Sequence, residues 1–337
     1  MQNSFISLFF SVKTFLFGIL LVSLSLLASC GGSERYRNVE GMVWNTLYHV
    51  SYRGPAALAD SLPAVFQRVG GSLSVFEESS VVSRVNASDS VEVDSPFIAV
   101  YNKSREINRL SHGMFDPTVS PLVSAWGFGP GHRPTADTLA IDSIMRFVGI
   151  AKTRLDGHRI IKDDPRIQFN FSAIAKGYGC DQAGEMFLRN GVTDFLVEVG
   201  GEIVARGKNP RGGDWAVSID RPVDAGDSVV HSSQCVIRLR DAAVATSGNY
   251  RNHHRSGSGK FGHTISPVTG RPVQTDVLSA TVIAPTCMEA DALATACMAG
   301  GSQLAKEMCF IRRTPILLVL SDTTVWMSES FKALVME

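Results

Sequence analysis

The sequence predicts an α+β fold, because the predicted helices and strands occur in blocks rather than in strict alternation. Apolar residues at helical spacing dominate the first half, whereas short apolar strands between turn residues dominate the second half. A chain of 337 residues suits one large domain or two closely packed lobes.

The first half contains the clearest helical patterns. Apolar side chains recur at helical spacing between residues 57 and 74, and Pro96 marks the first turn of a helix over residues 95–110. The other elements expected in this half are helices over residues 137–147 and 175–190 and strands over residues 48–52, 159–161 and 167–169.

The second half is predicted to be mostly strands. One helix is expected over residues 289–299, closed by Gly300 and Gly301 as a C-cap. The expected strands are residues 194–199, 202–206, 214–219, 236–239, 243–245 and 275–284, followed by a hairpin of residues 315–320 and 324–327.

The N-terminal residues have the pattern of a secretory signal. Lys13 precedes an apolar run from Phe15 to Ala28, which is too short for a comfortable membrane span. The residues Leu27-Ala28-Ser29-Cys30 also have the form of a bacterial lipobox. The alternative is a simple signal peptide followed by an incidental cysteine.

These features lead to a prediction of domain organisation. We expect a lipoprotein signal peptide over residues 1–29, lipidation (palmitate) of Cys30 and a lipid-anchored tether over residues 30–40. The folded body would then cover residues 41–337. It would face the periplasm or the exterior of a bacterial cell envelope.

The composition argues against several functional classes. The chain has 32 basic and 32 acidic residues and no long basic run, so nothing favours a nucleic-acid partner. Gly200 and Gly201 permit close approach of a ligand, but their spacing fits neither a Rossmann fingerprint nor a P-loop. No CxxC pair exists, which argues against a zinc knuckle or a thioredoxin-type site.

The segment from His112 to Leu122 combines a glycine, an acid and two prolines. This composition favours a fixed loop over a core segment. Taken alone, the loop favours a structural turn capped by Asp116.

The segment from Ser172 to Tyr178 brings small residues to the start of a predicted helix. Free backbone N–H groups at such a position can bind phosphate, and Lys176 adds a positive charge for the same anion. The alternative is a tight helix entry with a solvated lysine.

Asp291 and Thr295 are four residues apart, so they lie on one face of the predicted helix. A carboxylate and a hydroxyl on an alanine-rich helix suit magnesium better than zinc. The alternative is an acid that favours the helix dipole, with Thr295 bonded to its own turn.

Together these stretches resemble the ApbE family of FAD:protein FMN transferases, from about Trp44 to the C-terminal hairpin. The resemblance implies a T-fold-related, two-lobed α+β body with FAD bound between the lobes. The most specific matching segments are Phe115-Asp116-Pro117-Thr118, Ala173-Ile174-Ala175-Lys176-Gly177-Tyr178, Val199-Gly200-Gly201, Thr246-Ser247-Gly248-Asn249-Tyr250 and Asp291-Ala292-Leu293-Ala294-Thr295.

The resemblance also implies site residues. Magnesium would be held by Asp291, Thr295 and the backbone oxygen of Ala173. The implied flavin contacts are Trp44, Phe76, Met114, Phe115, Asp116, Asn170, Lys176, Ser247, His263 and Ile265.

Several positions depart from the family pattern. Trp44-Asn45-Thr46 stands where the family commonly has Met-Gly-Thr, and Asn170 and Ser266 each stand where it commonly has aspartate. Asn170 can hydrogen-bond the cofactor but cannot supply charge. These changes bear on flavin affinity and on the balance between transfer and hydrolysis, and they leave the implied metal ligands unchanged.

The implied reaction is a phosphoryl transfer. A threonine hydroxyl of an exported acceptor flavoprotein, a subunit of a redox complex, would attack the FMN phosphorus of FAD, and AMP would leave. Lys176 would assist, and His263 is the candidate base because an imidazole titrates near neutral pH. The alternative for His263 is a cofactor contact without proton transfer. The alternatives for the whole chain are an FAD pyrophosphatase and a non-catalytic flavin-binding lipoprotein.

Overall fold

The computed structural model describes residues 35–88, 91–127, 138–222, 232–248, 253–256, 259–262 and 264–336. The strands of the first half, with their bounds, are β1 Tyr36–Val43, β2 Thr46–Arg53, β3 Thr153–Asp156 and β4 Arg159–Lys162. Those of the second half are β5 Phe195–Val199, β6 Glu202–Arg206, β7 Trp215–Asp220, β8 Ser233–Leu239, β9 Ala242–Gly248, β10 His253–Ser256, β11 Gly259–Gly262, β12 Val277–Ala284, β13 Ile316–Leu320 and β14 Val325–Met327.

Eight strands form one sheet in the order β1-β2-β5-β6-β9-β12-β13-β14, and every neighbouring pair is antiparallel. The pairs β3–β4, β7–β8 and β10–β11 form separate two-stranded ribbons. β1 and β2 are joined by the two residues Trp44 and Asn45, whose φ angles of 49° and 59° are those of a type I′ hairpin turn.

Side-chain caps explain where two of the α-helices begin. Asp94 accepts a hydrogen bond from the N–H of Phe97 and so caps the third helix, and Thr286 caps the seventh in the same way through the N–H of Glu289. The helices are α1 Leu62–Leu73, α2 Val81–Ala87, α3 Ser95–Leu110, α4 Ser120–Ala125, α5 Thr138–Met145, α6 Ala175–Arg189, α7 Cys287–Arg312 and α8 Glu329–Lys332.

The large sheet separates two layers. On one face, α6 packs against β5 and β6, and α7 packs against β9 and β12. On the other face, the β7–β8 ribbon packs its apolar side chains, Trp215 and Ile237 among them, against Val244 and Leu317 of the sheet. The alternating burial along β5 and β7 follows from this arrangement, because each strand points successive side chains to opposite faces.

The predicted α+β class is confirmed, and several elements lie close to their predicted bounds. The helix over residues 95–110 and the strand over residues 202–206 coincide with α3 and β6. No helix among the described residues has the length and apolar character needed to cross a membrane.

The strand predicted at residues 167–169 is wrong. The strand that pairs with β4 is β3, and the two are joined by a tight turn in which Gly157 has a φ of +57°. The backbone of Phe169 instead exchanges hydrogen bonds with the side-chain amide of Asn86. An apolar segment can therefore satisfy its backbone without joining a sheet.

The helix end predicted at Gly300 and Gly301 is confirmed, because Gly301 leaves the helical conformation with φ 79° and ψ −179°. A second helical segment, which was not predicted, follows Gly301 and continues to Arg312, so α7 has two parts. Asp276 accepts a hydrogen bond from the N–H of Ser302, so this side chain caps the second part of the helix.

The predicted start of the folded body at residue 41 needs correction. β1 begins at Tyr36 and pairs with β2 along its whole length. Residues 36–40 therefore belong to the sheet rather than to the predicted tether. The predicted signal peptide and Cys30 lie outside the described residues.

Gly177 allows α6 and α7 to approach each other very closely. A Cβ atom at this position would lie 2.3 Å from the backbone oxygen of Cys287 and 2.9 Å from Cβ of Asp291. The first atom belongs to the backbone, so a side chain at residue 177 would push the two helices apart.

We expect Gly177→Ala to lower the free energy of unfolding by about 1–3 kcal/mol, because the added methyl group overpacks the helix contact. Gly71→Ala is the matched control, since residue 71 is also helical and a Cβ there meets nothing within 4 Å. The control should raise stability by about 0.5–1 kcal/mol through helix propensity. Equal denaturation midpoints for the two variants would contradict the steric role of Gly177.

Candidate functional site

The site is built from the N-terminal turn of α6, which carries Lys176, and the first part of α7, which carries Asp291 and Thr295. Asp291 on α7 is 4% exposed, and its Oδ2 accepts a hydrogen bond of 3.1 Å from the N–H of Gly177 on α6. Thr295, one turn later, lies with its Oγ1 3.2 Å from Oγ of Ser247 at the end of β9. Ala173 is half-buried and lies just before α6.

Lys176 is held by Glu202, a residue with no predicted role in the site. Its Nζ lies 2.6 Å from Oε2 of Glu202, the first residue of β6. Glu202 is 3% exposed, whereas the side chain of Lys176 is 35% exposed and so reaches solvent. The sequence did carry a signal: in the predicted strand over residues 202–206, period-two alternation puts Glu202 on the same face as Val204.

The three charged groups influence one another. Burial raises the pKa of Glu202 and of Asp291, and the positive charge of Lys176 partly offsets this effect at both carboxyl groups. Burial lowers the pKa of Lys176, but the two neighbouring carboxylates outweigh this and raise it overall. In their ionised forms the groups carry one negative charge in excess, which suits a cation.

A third acidic side chain, Asp181, fixes the start of α7. Asp181 of α6 accepts hydrogen bonds of 2.8 Å from the N–H groups of both Cys287 and Met288. Burial raises the pKa of Asp181 to about 6 despite these two bonds. Asp181 thus holds the helix that carries Asp291 against the helix that carries Lys176.

The predicted flavin-facing aromatic residues differ in their surroundings. Trp44 lies at the β1–β2 turn, packs edge-on against Phe66 at 5.6 Å between ring centres, and covers Gly179 of α6. Phe76 is 72% exposed, and Phe115 is buried in the core. Met114 is half-buried beside Phe115.

Asp116 organises its own loop. Oδ1 accepts hydrogen bonds from the N–H and the hydroxyl of Thr118, and Oδ2 accepts from the N–H of Ile150 and from the Asn108 side chain. These bonds match the structural turn that the sequence favours for this segment taken alone. The contact of Asp116 with flavin stays a prediction.

Asn170 and Ile265 lie outside the helices and strands. Oδ1 of Asn170 accepts a hydrogen bond from the N–H of Ser172. The backbone N–H of Asn170 donates to the backbone oxygen of Pro117, so the loops that carry these two residues are joined. Ile265 is buried against Leu122 and Ile141. His263 lies outside the described residues.

The chemistry of the donors decides which metal could fit. Among the residues that the structure describes, no group of three or more His, Cys, Asp or Glu side chains could hold a metal ion. The predicted set has a different composition, with one buried carboxylate, one hydroxyl and one backbone oxygen. Oxygen donors beside an excess negative charge fit magnesium, which is usually bound through few protein ligands and substrate phosphates.

The antiparallel sheet, the closely packed α6 and α7 and the buried cluster of Lys176, Glu202 and Asp291 define an α+β protein with an oxygen-donor site between two helices. The model of the ApbE family matches residues 44–317, and the chain belongs to this family. The resemblance inferred from the sequence motifs is thereby confirmed.

Relatives and solved structures agree with this assignment. An FAD:protein FMN transferase of Haemophilus influenzae is 32% identical, covering 96% of this chain and 97% of its own length. One from Vibrio cholerae is 33% identical, covering 93% and 97%. The solved flavin transferase ApbE from Vibrio cholerae has a TM-score of 0.78 at 30% identity, covering 89% of this chain and 99% of its own. The ApbE protein of Thermotoga maritima has a TM-score of 0.80 at 27% identity, covering 90% and 100%.

Proposed function

We propose that this chain is an FAD:protein FMN transferase, which moves the FMN portion of FAD onto another protein. The observation that carries this proposal is similarity over nearly the whole chain to relatives of that name. The cluster of Lys176, Glu202 and Asp291 supports this proposal, because it combines a cation that can bind phosphate with an acidic oxygen site.

The finer part of the proposal concerns the metal. Asp291, Thr295 and the backbone oxygen of Ala173 would hold Mg²⁺. When bound, this ion neutralises negative charge on the pyrophosphate of FAD. Asp291 supports this role because its Oδ2 is fixed by the N–H of Gly177 and the group lies in a buried, acidic setting.

Lys176 binds phosphate oxygens of FAD. Its ammonium has three donors, and one of them is engaged by Glu202. The side chain is about one-third exposed, so its remaining donors have access to a ligand in solvent. FAD itself lies between the two lobes, with contacts from Trp44, Phe76, Met114, Phe115, Asp116, Asn170, Ser247, His263 and Ile265.

The acceptor is a threonine of an exported flavoprotein subunit of a redox complex. Its hydroxyl oxygen forms a bond to the FMN phosphorus, the bond from that phosphorus to the AMP oxygen breaks, and AMP leaves. The hydroxyl proton passes to His263. If water takes the place of threonine, the products are FMN and AMP, and a chain without turnover would only bind FAD.

Incubation with FAD, Mg²⁺ and a threonine-containing acceptor distinguishes these activities. Covalent flavin on the acceptor is the expected result, detected by in-gel flavin fluorescence and by release of AMP. FMN and AMP without an adduct would identify a hydrolase, and intact FAD would identify a binder.

We expect Asp291→Asn to reduce transfer by on the order of 10²-fold or more, because it removes the ligand charge while an amide oxygen can still accept from Gly177. Thr295→Ala should reduce transfer less, since a neutral hydroxyl contributes less than a carboxylate. Asp60→Asn, at an exposed position outside the cluster, is the matched control. Near-wild-type transfer by Asp291→Asn in the presence of a chelator would refute the magnesium site.

His263→Ala should bind FAD with near-normal affinity but transfer FMN more slowly, by on the order of 10²–10⁴, if His263 accepts the threonine proton. The wild-type rate should fall as the pH drops through the histidine pKa, and the variant should lose that dependence. Weakened FAD binding with near-normal saturated transfer would instead make His263 a cofactor contact.

The anchoring proposal is that Cys30 is lipidated and holds the enzyme on a membrane of the cell envelope. It rests on the lipobox-like residues that precede Cys30. We expect Cys30→Ala to release the protein from membranes or to leave it unprocessed, as measured by fractionation and intact mass. A fully cleaved variant that stays on membranes would refute lipidation.

A further inference from the structure

Glu202 is a buried acid that the proposed transfer does not use directly. It opens β6, is 3% exposed, and approaches the ammonium of Lys176 to 2.6 Å. Its own backbone oxygen accepts from Sγ of Cys180, so the residue is also tied to α6 through the main chain. A buried charge is costly unless it is paired, so its presence here needs a physical reason.

Two carboxylates meet the same turn of α6 from different elements. Glu202 comes from β6 and engages the side chain of Lys176, whereas Asp291 comes from α7 and engages the N–H of the next residue, Gly177. The partners of the two acids, Lys176 for Glu202 and Gly177 for Asp291, are therefore consecutive residues of α6. The ammonium hydrogen-bonds to Glu202, whereas the hydrogen bond that Asp291 accepts within the described part of the chain comes from a neutral N–H.

The net charge of the cluster depends on the ion pair between Glu202 and Lys176. With all three groups ionised, Lys176 and Glu202 cancel and Asp291 contributes a net charge of −1. If Glu202 were neutral, the ammonium would offset Asp291 and the cluster would carry no net charge. Electrostatic interactions in a buried site are weakly screened, so this difference acts strongly on a divalent cation.

We propose that Glu202 is a positioning residue that binds the ammonium of Lys176 and thereby leaves the negative charge of Asp291 available to a divalent cation. This inference rests on the magnesium site of the proposed function, and it gives a physical reason for the affinity of that site for a cation. The same contact fixes the side chain of Lys176 at a partly exposed position, where its remaining N–H donors can bind an anionic ligand.

The test is a double-mutant cycle on cation affinity, with Mn²⁺ alone as the probe and free Mn²⁺ measured by electron paramagnetic resonance. Glu202→Gln should weaken Mn²⁺ binding by on the order of tenfold or more, because the cluster becomes neutral. Lys176→Met should bind at least as tightly as wild type. The double variant K176M/E202Q, again with a charge of −1, should return to within about threefold of wild type.

The control variants distinguish charge placement by Glu202 from a purely structural role of its pair with Lys176. Glu202→Asp keeps the charge and should retain most of the affinity, and Asp291→Asn should abolish binding in every background. Wild-type affinity in Glu202→Gln, with only a lower melting temperature, would make the pair purely structural and overturn the inference. Weaker binding by Lys176→Met would overturn it even if Glu202→Gln failed to fold. Absence of Mn²⁺ binding by the wild-type protein would instead overturn the metal site itself.

Discussion

The close contact between α6 and α7 at Gly177 is the constraint on which the site depends. Because Gly177 has no side chain, the backbone of Cys287 approaches to a distance that a Cβ atom would forbid. The same contact lets the N–H of Gly177 reach Asp291, and Asp181 caps the start of α7 from one turn further along α6. One glycine thus sets how closely Asp291 on α7 approaches the turn of α6 that carries Lys176.

Charge distribution is the second constraint. The cluster gathers an ammonium and two carboxylates from three elements, and burial raises the pKa of both acids. Such an arrangement is costly for stability when considered alone, since buried ions lose hydration. A bound cation would offset the excess negative charge, as the proposed function requires.

Several site residues were predictable because their signals are local. Asp291 and Thr295 share a helix face by spacing alone, and Lys176 lies in a glycine- and alanine-rich helix entry. Glu202 had a local signal as a charged residue on a buried strand face, but only the folded chain shows its partner. The apolar pattern of residues 167–169 predicted a strand, but the backbone of Phe169 pairs with Asn86, more than eighty residues away. The local sequence could not show this contact.

The sequence by itself determined the α+β class, the bounds of α3 and β6 and the family, because periodicity, caps and motif residues act over a few neighbouring positions. Only the tertiary structure decided that Lys176 pairs with Glu202, that Asp116 bonds to Ile150, and that a second helical segment follows Gly301. These outcomes depend on side chains such as Asp276 and Glu202 reaching across the fold. Contacts of that kind arise only when distant segments are brought together, and no local pattern encodes them.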